Sequence, residues 1–206
     1  MKKTGIIAAI LVAIVCFAYV NINAEALNYS VGDQITDFKL KNTEGKDVSL
    51  GSIANAKGYI VIFTSNHCPF AKAYEDRILA LDKKFAPQGF PVVAINSNDP
   101  GSYEEDTFEN MKAKVKDKGY TFNYLEDHTQ TTAKAFGAQR TPHVFLVVKK
   151  GDKLILDYVG AIDDNSQDPA SVTKRYVEDA IASIQAGKPV ATTSTKAIGC
   201  AIKWKE

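Results

Sequence analysis

Tyr59-Ile60-Val61-Ile62-Phe63-Thr64-Ser65-Asn66-His67-Cys68-Pro69-Phe70 joins an apolar run to a cysteine that is followed at once by proline. The run is too short for a helix and reads as a strand covered on both faces. Beyond it, Ala71, Tyr74, Ile78, Leu81 and Phe85 recur at spacings of 3, 4, 3 and 4, the stripe of a helix buried along one side. Cys68 therefore ends a buried strand and opens a helix, with Pro69 at the first helical position, where its missing N–H costs nothing. A cysteine reacts as the thiolate, and a free pKa near ~8.5 leaves only a few per cent ionised at neutral pH. The unpaired N–H groups and macrodipole of a helix N-terminus favour that charge. The competing reading of Cys68 is a small buried hydrophobe closing a core strand. Position 71 is Ala71, so there is no Cys-x-x-Cys dithiol, and any reaction at Cys68 needs a second reductant.

Working outward, residues 90–96 read as a second buried strand, and Phe108, Met111 and Val115 set the face of a helix over 103–118. Glu104, Glu105 and Asp106 open that helix, where negative charge complements its dipole. Lys112, Lys114, Lys116 and Lys118 read as solvated charge. A short strand is expected over 121–125 and a short helix over 130–136, stopped at Gly137. Residues 144–148 and 154–159 flank Lys149-Lys150-Gly151-Asp152 as an antiparallel hairpin. Upstream, alternation over 31–40 and 47–50 around Asn42-Thr43-Glu44-Gly45 reads as another hairpin. A final helix carries Val172, Tyr176, Ala180 and Ile184 and ends at Gly187. The tail, 188–206, has no sustained period and is expected to be extended and mobile, with Cys200 and Trp204 as its anchors. Strands alternating with helices predict an α/β domain with a central sheet.

The N-terminus is of another kind. Lys2 and Lys3 precede an uncharged apolar run over 6–20, followed by Ala24-Glu25-Ala26. The run is shorter than the roughly 20 residues of a membrane-spanning helix, so 1–26 reads as a secretory signal cleaved after Ala26, with an uncleaved inner-membrane anchor as the alternative. The organisation is then leader 1–26, domain 27–187 and tail 188–206, in a protein exported to the periplasm or beyond. Cleavage leaves 23 basic against 23 acidic residues, so no basic field recruits nucleic acid, and contact with membrane is limited to the leader. It also removes Cys16, leaving Cys68 and Cys200, a number that permits one disulfide in an exported protein. No Cys-x-x-Cys, Cys-x-x-x-Cys or His-x-x-x-His spacing supports a metal, and no cofactor is expected. His128 and His143 read as surface residues.

At Val61-Ile62-Phe63-Thr64-Ser65-Asn66-His67-Cys68-Pro69-Phe70 and Gly137-Ala138-Gln139-Arg140-Thr141-Pro142 the chain resembles the thioredoxin-like superfamily, and within it the peroxiredoxin-like redoxins of the alkyl hydroperoxide reductase and thiol-specific antioxidant type. The resemblance covers roughly 31–187. It implies a thioredoxin-like fold: a central mixed β-sheet flanked by helices, here with an N-terminal β-hairpin extension and an extended C-terminal tail. It also implies Cys68 as nucleophile and Ser65 as the hydroxyl that orders a peroxide beside it, although Val61 stands where that family's motif has proline. Ser65 occupies a position where the resembling subgroup often carries a further cysteine. Thr141-Pro142 falls where thioredoxins place a cis-proline, exposing a backbone edge to a disulfide substrate. Arg140 either holds the thiolate or a peroxide oxygen by charge-assisted hydrogen bonds, or is a solvated surface residue. His67 lowers the pKa of Cys68 if it is protonated and faces the sulfur, yet neighbours after a strand often point apart. Gly199-Cys200-Ala201-Ile202-Lys203-Trp204 matches an ending common in the group, which implies a resolving thiol at Cys200; a permanent structural staple is the alternative.

Three functions fit these residues. An antioxidant oxidoreductase reduces peroxides through Cys68, resolves through Cys200 and draws electrons from an external dithiol. A thiol-disulfide oxidoreductase acts on protein disulfides along Thr141-Pro142. A binding module keeps the scaffold with a structural Cys68–Cys200 bond. The electron donor, the oligomeric state and whether the cysteines pair within one chain are left open.

Overall fold

Apolar alternation along the central strands is resolved into two cores, one on each face of a single sheet. The computed structural model describes residues 28–206; the leader reading, the cleavage site and Cys16 lie outside these residues. In chain order the elements are β1 (Leu40–Asn42), β2 (Asp47–Val48), β3 (Gly58–Thr64), α1 (Pro69–Phe85), β4 (Val92–Asn96), α2 (Phe108–Lys118), β5 (Asn123–Glu126), α3 (Thr131–Phe136), β6 (Arg140–Thr141), β7 (His143–Lys150), β8 (Lys153–Gly160), α4 (Tyr176–Gln185) and β9 (Cys200–Ala201). Seven strands form a mixed sheet in the order β2-β1-β5-β4-β3-β7-β8, parallel across β5-β4-β3 and antiparallel at β7 and β8. Every residue of β3 and β4 is buried, as expected of strands with both faces covered. Ile60 and Ile62 point to one core with Tyr74, Ile78, Leu81 and Phe85 of α1, Met111 of α2 and Val177 and Ile181 of α4. Tyr59, Val61 and Phe63 point to the other, with Phe136 of α3, Phe145 and Leu50. This is the thioredoxin-like α/β arrangement that the sequence predicts.

Three expectations about the elements are corrected. The N-terminal hairpin is only the short β1–β2 pair, because the preceding segment bonds β8 instead: Gly32 N donates to Leu156 O at 2.8 Å and Ile35 N to Leu154 O at 2.8 Å. The helix expected over 103–118 is broken at Thr107, whose extended backbone (φ −65°, ψ 152°) separates a 3-10 turn, Glu104–Asp106, from α2. The break turns the Asp106 side chain inward, where backbone and amide N–H groups satisfy it. The last helix begins at Tyr176, after a 3-10 turn at Pro169–Ser171, and ends before Gly187 at φ +66°.

The tail is extended, as expected, but docked. Thr195 N donates to Val159 O at 3.0 Å, and its hydroxyl accepts from Ala161 N at 2.9 Å and meets Tyr158 Oη at 2.6 Å. Further on, β9 pairs antiparallel with β6 as a separate two-stranded sheet. The apolar anchor is Ile202, 3% exposed in the α3-side core, whereas Trp204 is 41% exposed.

Candidate active site

Strand β3 delivers Cys68 to the N-cap of α1, with extended backbone (φ −63°, ψ 122°) and Pro69 as the first helical residue. The side chain is fully buried. Its thiol donates to the Thr141 carbonyl at 3.1 Å, and its N–H donates to Ser65 Oγ at 3.3 Å. Ser65 Oγ in turn donates to Thr141 Oγ1 at 3.5 Å. Ser65 and Thr141 are both buried and lie on opposite sides of the sulfur in sequence, so their contact ties the nucleophile loop to β6. The Thr141-Pro142 peptide is cis. Register then places Cys200 directly opposite Thr141. Gly199 makes this approach possible, because a Cβ there would overlap the Thr141 carbonyl. Cys200, whose thiol is half-buried and free like that of Cys68, is thereby set beside the residue whose carbonyl the Cys68 thiol meets.

The two thiols are electrostatically unequal. Burial pushes the Cys68 thiol up, but the Cys200 thiol, the Thr141 hydroxyl and the backbone N–H groups of Ala71 and Cys200 stabilise its thiolate and bring its pKa below the ordinary value. Cys200 is pushed up to about 11 by burial, by its hydrogen bond to Cys68 and by the charge there. At neutral pH Cys68 is thus the better nucleophile and Cys200 the proton-bearing partner.

Behind the sulfur lies a polar layer that the sequence did not announce. Asp106 is 3% exposed. Its Oδ1 accepts from Asn66 N at 2.6 Å and Asn96 Nδ2 at 3.0 Å, and its Oδ2 accepts from Asn98 Nδ2 at 2.8 Å and lies 2.8 Å from His67 Nδ1. The His67 ring stacks on Tyr103, with centroids 3.7 Å apart and planes 8° apart. Its hydrogen-bonding nitrogen is therefore committed to Asp106 and not to the sulfur. A signal for this layer was present: Asn66, Asn96 and Asn98 sit at the carboxyl ends of adjacent parallel strands, the edge where open α/β sheets bind ligands.

Of the residues singled out from sequence, Ser65, Cys68, Pro69, Thr141, Pro142 and Cys200 converge. Arg140 does not join them: its guanidinium is exposed and reaches the Gly199 carbonyl at 3.5 Å, steadying the tail. His143 is not a surface residue but is buried on β7 beside Phe145, and burial lowers its pKa to about 4. His128 is exposed, as expected. Lys114 is no solvated charge, since it forms an ion pair with the buried Glu75 and reaches Asn66 O at 3.5 Å. Among the described residues no cluster of three or more His, Cys, Asp or Glu side chains could hold a metal, and no helix is long and apolar enough to cross a membrane.

The model of the AhpC/TSA family matches residues 31–153, from the N-terminal segment through the β7–β8 turn. The chain belongs to the AhpC/TSA family. Among solved structures, this AhpC/TSA chain is similar to an uncharacterized conserved protein from Geobacillus kaustophilus, with 36% identity, a TM-score of 0.79 and coverage of 86% of this chain and 93% of that one. A peroxidoxin, BcpB, from Mycobacterium tuberculosis shares the fold at 18% identity, a TM-score of 0.56 and coverage of 76% and 96%. Among curated proteins, it is 25% identical over 150 residues to the thiol-disulfide oxidoreductase ResA of Halalkalibacterium halodurans, covering 73% of this chain and 81% of that protein. Thiol oxidoreductase is the chemical class to which family and relatives assign it.

Proposed function

We propose that this chain is an exported thiol oxidoreductase that reduces peroxides through Cys68, with Cys200 as its resolving thiol. The carrying observation is the pairing of β9 with β6, which sets Cys200 opposite Thr141, the residue whose carbonyl the Cys68 thiol meets, and so supplies the second thiol that Ala71 denies to the local sequence. In the first step the Cys68 thiolate attacks one peroxide oxygen. The O–O bond breaks, the other oxygen leaves as an alcohol or water after taking a proton, and Cys68 becomes a sulfenic acid. The Cys200 sulfur then displaces hydroxide from the sulfenic sulfur, which leaves as water as the disulfide forms. An external dithiol reduces the disulfide by two exchanges and is itself oxidised. Full burial of Cys68 beneath β9 supports a small oxidant, which needs less opening of the site than the disulfide of a folded protein. The leader pattern in 1–26 supports export to an oxidising compartment.

Peroxide consumption with a dithiol reductant tests the reading. Cys68→Ser should lower the rate at least about 100-fold, to background. Cys200→Ser should complete one oxidation and accumulate a sulfenic acid that dimedone traps. Equal consumption by the wild type and Cys68→Ser sinks the proposal.

A second reading, exchange with protein disulfides, is favoured by the cis Thr141-Pro142 peptide and by similarity to ResA. It requires β9 to leave the β6 edge. Cys200→Ser should then capture mixed disulfides from an oxidised, unfolded protein substrate; an empty trap counts against it.

A further inference from the structure

We propose that Asp106 is a positioning residue that joins the loop bearing the nucleophile to the tail bearing Cys200. The inference rests on the pairing of Cys68 with Cys200 proposed above. Asn66 and His67, the two residues before Cys68, meet opposite oxygens of the Asp106 carboxylate, through the Asn66 N–H at 2.6 Å and His67 Nδ1 at 2.8 Å. The same carboxylate accepts from Asn98 Nδ2 at 2.8 Å. Asn98 Oδ1 faces the other way and accepts from the backbone N–H of Lys203 at 2.9 Å. The adjoining Asp99 N donates to Lys203 O at 2.8 Å, and Gln130 Nε2 donates to the same carbonyl at 2.7 Å. Only one side chain therefore stands between Asp106 and the tail segment three residues beyond Cys200.

A disulfide demands this kind of control. The bond forms only when the two Cβ atoms lie about 3.5–4.5 Å apart, so small displacements of either carrier matter. Cys200 is held by the two-residue β6–β9 pairing, which it forms with Ala201, and downstream by Ile202 and by the Lys203 bonds. The carboxylate suits the task because it is an acceptor only, and it faces four donor groups. An asparagine in its place offers one oxygen and one NH₂. Whichever way it turns, its NH₂ faces either the Asn66–Asn96 donors or the Asn98–His67 side, and that side lets go.

The test is the redox potential of the cysteine pair, measured by equilibrating the whole chain with reduced and oxidised glutathione. In that reaction two protein thiols and one glutathione disulfide give one protein disulfide and two glutathione thiols. Asp106→Asn and Asn98→Ala should each lower the equilibrium constant for the Cys68–Cys200 disulfide at least tenfold while the thermal unfolding transition stays cooperative. Asn98→Ala cuts only the tail side of the network, which keeps the test decisive should Asp106→Asn fold poorly. Trp204, the single tryptophan, follows Lys203 and lies 5.8 Å from the Lys134 ammonium. Its fluorescence anisotropy should fall in both variants as the tail loosens. A folded Asn98→Ala protein with the wild-type constant and anisotropy overturns the proposal. The glutathione couple needs no peroxide, so a chain inert to peroxide whose variants still shift this constant loses only the peroxidase reading. A wild-type chain that forms no Cys68–Cys200 disulfide overturns both.

Discussion

At the scale of single residues, Cys68 owes its lowered pKa to donors delivered from elsewhere in the chain, Cys200 and Thr141 above all, working against its burial. Removing one of those donors must return the thiol toward protonation. Cys200→Ala should raise the pKa of Cys68, and the midpoint of its iodoacetamide alkylation rate against pH should move upward; an unmoved midpoint would show that the helix N-terminus alone sets it. Cys68 and Pro69 were legible because their signal is local, a proline after a strand-end cysteine, whereas Thr141-Pro142 was read through its resemblance to the thioredoxin cis-proline position. Asp106 was not. Its partners lie at 66, 67, 96 and 98, and its own neighbours, Glu104 and Glu105, form an acidic run that fits a helix start equally well. His143 was misplaced for the same reason, since nothing beside it in sequence reveals that β7 is an interior strand, flanked by β3 and β8.

At the scale of elements, the periodic pieces were readable and the docked ones were not. The 3-4-3-4 stripe of α1 and the continuous apolar run of β3 appear where expected, because burial against a neighbour imposes those periods. The tail carries no period, since its anchors are the Thr195 bonds to β8, a two-residue strand, one buried isoleucine and bonds to Asn98, Asp99 and Gln130. Its fit depends on Gly199, where a side chain would strike the Thr141 carbonyl. Gly199→Ala should push β9 off β6 and slow Cys68–Cys200 disulfide formation at least about tenfold. The burial of Ile202 contributes about 1.5–3 kcal/mol of the stability at stake, while the rest of both main cores stays intact. Quenched-flow oxidation followed by thiol mapping, with urea unfolding as the control, checks both halves; wild-type kinetics would mean that the tail tolerates the added methyl group.

At the scale of the whole molecule, pH acts on the fold through a buried histidine on an interior strand as well as through the site. His143 pairs with Phe63 across β3 and β7, its ring centroid lies 4.5 Å from that of Phe145, and its Nδ1 accepts from Gln139 N at 3.3 Å, a bond only a neutral imidazole can accept there. Burial lowers its folded pKa to about 4, against about 6.5 in the unfolded chain. Between those values the unfolded state binds a proton that the folded state refuses, so stability rises with pH through this window. The contribution is fully present above about 6.5 and is lost as pH falls toward about 4, reaching a total of about 3 kcal/mol. His143→Gln keeps an acceptor for the Gln139 N–H but takes up no proton. Urea unfolding at pH 7.5 and pH 4.5 should therefore show a smaller drop in stability for His143→Gln than for the wild type, by about 2–3 kcal/mol. Parallel losses in the two proteins would show that the imidazole is charged, or hydrated, in the folded state.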